Sequence, residues 1–237
     1  MVPERNVDPA ALYERERTVF SSLLRTLSDD QLHAPVPATP LWTVHDVAAH
    51  LTGITADLNA RRFGDGDADA WTAAQVEARR GCSIDELVAE WDGEAPTFEA
   101  GLRLFGYDFG AHYLGDLLQH VADVTAALGR PPGRDDLALA VALDFYVGSF
   151  EETLVQAGCG AVAVSVGGES WVLGPGNVVA WLTASRFELF RALGGRRTGA
   201  EIAGLQWSGE FETLPGLVSR YPMPLASLHE QTTLGPV

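Results

Sequence analysis

The hydrophobic period of this chain changes once, at Gly158-Cys159-Gly160, and that change limits what it can fold into. Before it, apolar side chains recur every three or four residues, the spacing of helices that bury one face. After it, short β-branched runs alternate between turn residues. The reading is an α+β chain: an up-and-down helical bundle over residues 1–157, then a smaller α/β domain over residues 158–237.

Local signals place the elements. Asp8-Pro9 opens a first helix, proline being suited to the first helical position, and Leu12, Val19, Phe20, Leu23, Leu24 and Leu27 make its stripe. Pro35, Pro37 and Pro40 hold an extended connection. Thr43 with Asp46 is a capping box, with Trp42 outside it as a staple onto Val47, and the helix carries Val47, Leu51, Ile54 and Leu58 on one side. It is expected to fray into the Gly/Asp-rich residues 63–69. Ser83 with Glu86 opens another helix toward Leu104, and a further one spans residues 109–128 and stops at Gly129, with Pro131-Pro132-Gly133 behind it. Residues 135–156 read as a helix with Leu137, Val141, Phe145, Phe150 and Leu154 on its apolar face. Beyond the break, Ala161–Val166 and 171–173 flank Gly167-Gly168, a hairpin signal. Residues 178–182 suit a strand or a helix start, Arg186–Leu193 a helix, Thr198 with Glu201 a short helix and 205–207 a last strand. The proline-punctuated tail after Leu214 is expected to wrap back over the body.

The charge balance narrows the partners. Sixteen basic against thirty-two acidic residues leave a net charge of −16, which argues against nucleic-acid backbones and anionic membranes. The N-terminal stretch is charged rather than apolar and no run is long enough to span a bilayer, so a cytoplasmic protein is expected. Two cysteines, Cys82 and Cys159, lie in no paired motif, so neither a disulfide framework nor a CxxC metal site is encoded. No Gly-rich phosphate loop follows a strand, and no GxSxG elbow is present.

The histidines are few enough to weigh singly. His50 lies between Val47 and Ile54 on the inward side of its helix, where a hydrogen-bonded core residue and a ligand are both open. Asp116 and His120, four apart, project from one face of the helix 109–128. A carboxylate and an imidazole on one helix, with an inward histidine on another, suit a metal in a bundle core. Two imidazoles and one carboxylate leave positions open, as Zn²⁺ or Fe²⁺ chemistry requires. A surface Asp–His pair fits the same spacing. His112, one turn before Asp116, is an alternative ligand; Asp123 could orient His120 or be a solvated charge. His45 is expected to be exposed, and His33 and His229 to lie in loops.

Two stretches carry a resemblance. Pro40-Leu41-Trp42-Thr43-Val44-His45-Asp46-Val47-Ala48-Ala49-His50-Leu51 resembles a helix signature of mycothiol-dependent maleylpyruvate isomerase-like proteins, which are DinB-like four-helix metalloproteins. Asp116-Leu117-Leu118-Gln119-His120-Val121-Ala122-Asp123-Val124, continuing through Ala127-Leu128-Gly129-Arg130-Pro131, is similar to their second. In that family a histidine ending the first motif and a Glu-x3-His in the second hold the metal. The resemblance thus implies His50, Asp116 and His120 as ligands, zinc as the first expectation, and mycothiol or a similar small thiol as cofactor. Aspartate at 116 departs from the family's glutamate and reaches about one methylene less far. Leu193-Gly194-Gly195-Arg196-Arg197-Thr198 resembles a segment of the family's second domain more loosely, and nominates Arg196 or Arg197 to grip a substrate carboxylate. Both also suit a plain charge pairing at a helix C-terminus. Two functions follow: a metal-dependent enzyme using the thiol for isomerisation or transfer on a small electrophile, or a binding protein of the same fold without turnover.

Overall fold

The computed structural model of the protein describes residues 6–64, 66–131 and 137–230. The chain is α+β, and its contacts divide it at residue 130 into two units. The first, residues 8–130, holds α1 (Pro9–Leu24), α2 (Asp29–Leu32), α3 (Val44–Asn59), α4 (Ala68–Glu77), α5 (Ile84–Phe105) and α6 (Tyr107–Ala127).

The starts of these helices follow their caps. Asp8 Oδ1 accepts from the Ala10 amide at 3.0 Å, and Pro9 occupies the first turn of α1. At α3 the Thr43 hydroxyl accepts from the Asp46 amide while Asp46 Oδ2 accepts from the Thr43 amide at 2.9 Å, so two otherwise orphaned donors are satisfied. Ser83 and Glu86 do the same for α5. Gly106 alone separates α5 from α6, and its φ of +91° makes the reversal without a Cβ clash.

The four long helices α1, α3, α5 and α6 pack on one another, α3 on α5 and α1 on α6 most extensively. In their core, the fully buried Trp91 indole donates to Thr55 Oγ1 at 3.1 Å, and its ring meets Phe20 edge-on. α2 and α4 are additions to the expected helices. α4 starts at the end of the stretch expected to fray and runs on to Glu77; its alanine-rich sequence carries almost no amphipathic signal, and only Gln75 and Val76 are buried.

The second unit begins at residue 131 and contains α7 (Leu137–Ala157), β1 (Ala161–Val166), β2 (Glu169–Leu173), β3 (Val178–Ala184), α8 (Arg186–Leu193), α9 (Gly199–Ala203), β4 (Gln206–Gly209) and a 3-10 turn at Pro215–Leu217. The sheet order is β2-β1-β3-β4, with β1 and β3 parallel and the outer pairs antiparallel. Gly167 and Gly168 both take positive φ in the β1–β2 hairpin. The contacts place the division at residue 130, before α7 rather than after it. Four helices already cover one another, and α7 packs against α8 and β2, with Tyr146 edge-on to Phe190 at 5.4 Å. An apolar stripe reports that a face is covered, not by what. The expected Pro132-Gly133 stop and residues 135 and 136 lie outside the described residues.

The tail returns to its own unit, as expected, through a buried ion network. Glu230 accepts from Arg191 Nε at 3.0 Å and from Arg197 Nη1 at 2.7 Å, and Arg197 also grips Glu188 in bidentate fashion. No helix among the described residues is long and apolar enough to cross a membrane.

If α7 belongs to the second unit, Phe150→Ala should cost about 3–5 kcal/mol by cavity formation. Hydrogen exchange should quicken in β1, β3 and α8 while α3 and α6 keep their protection. Loss of protection confined to α1, α3, α5 and α6 would restore the boundary at 157.

Candidate metal centre

The capping box sets the rotation of α3, and His50 follows two turns later on its buried side, 3% exposed. His120, 6% exposed, sits on the buried face of α6, the helix packed against α3. The two imidazoles meet edge to face with centroids 5.1 Å apart. Asp116, one turn before His120, brings Oδ1 to 3.7 Å from His120 Nε2, too long for a hydrogen bond. One ligand atom from each of His50, Asp116 and His120 lies within 4.8 Å of the others, the only such group of three or more among the described residues. Ala48, Ala49 and Gly115 beside them are all buried, so small side chains line the close approach.

An oxygen approaches Nδ1 of each ring, as a hydrogen bond at His50 and, at His120, as an ion-pair distance without hydrogen-bond alignment. His50 Nδ1 lies 3.0 Å from Gln75 Oε1, and Gln75 Nε2 donates to Asp57 Oδ2 at 3.0 Å. His120 Nδ1 lies 3.2 Å from Oδ2 of Asp123, whose side chain is fully buried. Asp123 therefore faces the histidine rather than solvent. In both rings the nitrogen contacted this way is Nδ1, so Nε2 is the atom a metal would use. Two imidazoles and a carboxylate about a common point, each imidazole backed by an oxygen, fit a catalytic Zn²⁺ donor set.

Trp42 closes one side. A β-bridge between Pro35 and Thr43 and the Val36 amide donating to the Trp42 carbonyl hold its backbone, and its ring stands 5.0 Å from His50 and 6.1 Å from His120. Two tyrosines adjoin Asp116. Burial pushes Tyr13 up to about 12 against hydrogen bonds with Thr55 and Trp91 that lower it, and Asp116 adds to the rise. Burial and then the Asp116 charge push Tyr113 up to about 12. Both hydroxyls stay protonated at neutral pH.

The structure thus brings together the three residues nominated as ligands. His112 is outside the cluster and stacks on Tyr113. His45, expected to be exposed, is half-buried with Nε2 2.8 Å from the Cys82 carbonyl; the turn before α5 covers it. Arg197 is buried between Glu188 and Glu230, and Arg196 Nη1 donates to the Gly194 carbonyl. Gln75, Asp57 and the place of Trp42 over both rings escape sequence reading. An Asp67 cap before an alanine-rich run was the available signal for the helix that carries Gln75.

Residues 13–114 match the family model described as the mycothiol maleylpyruvate isomerase N-terminal domain. The match takes in Trp42, His50 and Gln75 and ends just before Asp116. No curated protein matches the chain. Among solved structures, the crystal structure of a histidine-to-alanine mutant of the mycothiol-dependent maleylpyruvate isomerase aligns with a TM-score of 0.50 and 13% identity, over 79% of this chain and 88% of that one. At that identity the likeness is one of fold.

Because the Asp116 charge helps hold Tyr113 up at about 12, Asp116→Asn should lower that value, with burial keeping it above 10. Tyrosinate absorbance in an alkaline titration, with Tyr113→Phe as the subtraction, reads the shift. An unchanged value would separate Tyr113 from the cluster.

Proposed function

We propose that this chain, a member of the mycothiol maleylpyruvate isomerase family by its N-terminal domain, is a metal-dependent enzyme. It uses a low-molecular-weight thiol of the mycothiol type on a small electrophilic substrate. The observation that carries the reading is the cluster of His50, Asp116 and His120, with ligand atoms within 4.8 Å, of which His50 lies in the segment that matches that family's N-terminal domain.

His50 and His120 would hold the ion through Nε2 and Asp116 through a carboxylate oxygen, leaving room for a sulfur ligand. A bound divalent cation, zinc by the nature of these donors, supplies the charge that keeps a thiol deprotonated near neutral pH. Asp123 and Gln75 hold the two rings in place, and Trp42 covers them and limits water. The thiolate sulfur would add to an electrophilic carbon of the substrate, its pair forming the C–S bond as the π pair of that carbon moves onto a conjugated carbonyl. Its later departure gives isomerisation, and its retention gives transfer. Tyr113, protonated at neutral pH, is a hydrogen-bond donor near Asp116, whereas the Tyr13 hydroxyl is engaged with Thr55 and Trp91. Two free cysteines suit a reducing cytoplasm.

Metal analysis of the purified and zinc-reconstituted protein should give about one ion per chain, lost in His50→Ala and in His120→Ala. If both variants keep it, the ion is held elsewhere. Asp116→Asn should weaken binding by about 10–100-fold or more, and Asp116→Glu should be partly tolerated. Consumption of mycothiol with a generic electrophile should require the loaded centre. Metal binding without thiol consumption would favour a binding protein.

A further inference from the structure

We infer that Asp57, acting through Gln75, fixes the proton of His50 on Nδ1; that this presents Nε2 to a cation rests on the metal-centre reading above. Arg62 Nε and Nη2 donate to Asp57 Oδ1 at 2.8 and 2.7 Å, so the carboxylate is paired with a guanidinium. A carboxylate only accepts hydrogen bonds, so the Gln75 group 3.0 Å from Asp57 Oδ2 has to be the donating NH₂. The amide oxygen of Gln75 is thereby turned to His50. That oxygen also only accepts, so the ring atom 3.0 Å away, Nδ1, has to carry hydrogen. A neutral imidazole has one N–H, and its lone pair is then on Nε2. In water the histidine side chain favours the opposite tautomer, so the choice here is imposed. A charge on the outer part of α3 decides it, two hydrogen bonds away from the ring.

The packing is arranged for this contact. Gln75 is 2% exposed, although nothing in α4 requires a buried polar side chain. It reaches His50 because α4 crosses α3 at Gly53, one turn beyond the histidine. A Cβ on Gly53 would stand 2.6 Å from Gln75 Cβ and 2.9 Å from its Cγ, so any side chain there drives the two helices apart. Gln75 is thus a positioning residue: it acts on the cation only through His50.

The test reads the tautomer itself, in metal-free protein labelled with ¹⁵N-histidine, by long-range ¹H–¹⁵N correlation. Wild-type His50 should show a protonated Nδ1 and a bare Nε2. Gln75→Leu should release the ring to the opposite tautomer and lower zinc affinity about 10–100-fold in chelator competition. Asp57→Asn is the sharper variant, because it keeps Gln75 and its packing but allows the amide to turn over. It should give a mixed tautomer with unchanged circular dichroism. A wild-type ring protonated on Nε2, or an Asp57→Asn ring identical to wild type, overturns the inference whether or not zinc binds. A bare Nε2 in a protein that binds no zinc would leave the tautomer assignment standing and remove the metal reading.

Discussion

A polar ring buried in a helical core must have a partner for every nitrogen, or its burial costs several kcal/mol. The first unit buries two such rings against each other; His50 Nδ1 has a hydrogen-bond partner, whereas His120 Nδ1 has a carboxylate nearby but no hydrogen bond. His120 is met from its own helix by Asp123, a carboxylate with no solvent contact. His50 is met from α4, which requires the bare backbone of Gly53 to come close enough. The short helix with little apolar face of its own is thereby part of the site rather than a linker.

The same arrangement sorts the cluster by exposure. The His120 side chain is 8% exposed and that of Asp116 28%, so solvent reaches the group along the carboxylate. The mouth is also where the protonated Tyr113 lies, three residues before Asp116 on α6. A wet carboxylate beside dry imidazoles keeps the charge-bearing member of the set next to the route by which a polar molecule would enter.

Much of this was legible in the residues. The Thr43–Asp46 box fixed where α3 starts, so the inward direction of His50 followed from counting. Asp116 and His120 share a face by their spacing alone. What could not be read was which surface covers a given stripe. The apolar face of α7 looks like that of any bundle helix, and only the presence of Phe190 and β2 assigns it to the sheet. Helix α4 escaped for the opposite reason, having a contact made by one amide rather than by a stripe. His45 is covered because the turn before α5, distant in sequence, brings the Cys82 carbonyl against its ring, a contact that the helix N-terminus argument does not see. The aspartate at 116, about one methylene shorter than a glutamate, still reaches the cluster across a contact lined by small side chains.

The network of Arg191, Glu188, Arg197 and Glu230 has an evolutionary consequence. Two guanidinium groups are balanced by two carboxylates, with the side chains of Arg191 and Glu230 at 0% and 4% exposure. Removing one member strands an opposite charge away from water, which costs about 3–5 kcal/mol, whereas replacing the whole set by apolar groups of matching volume can be nearly neutral. Descendants of this sequence can therefore leave the arrangement only by passing through a poorly folded intermediate or by changing several positions together. The four residues should drift as a block, with the tail's attachment to α8 inherited whole or lost whole.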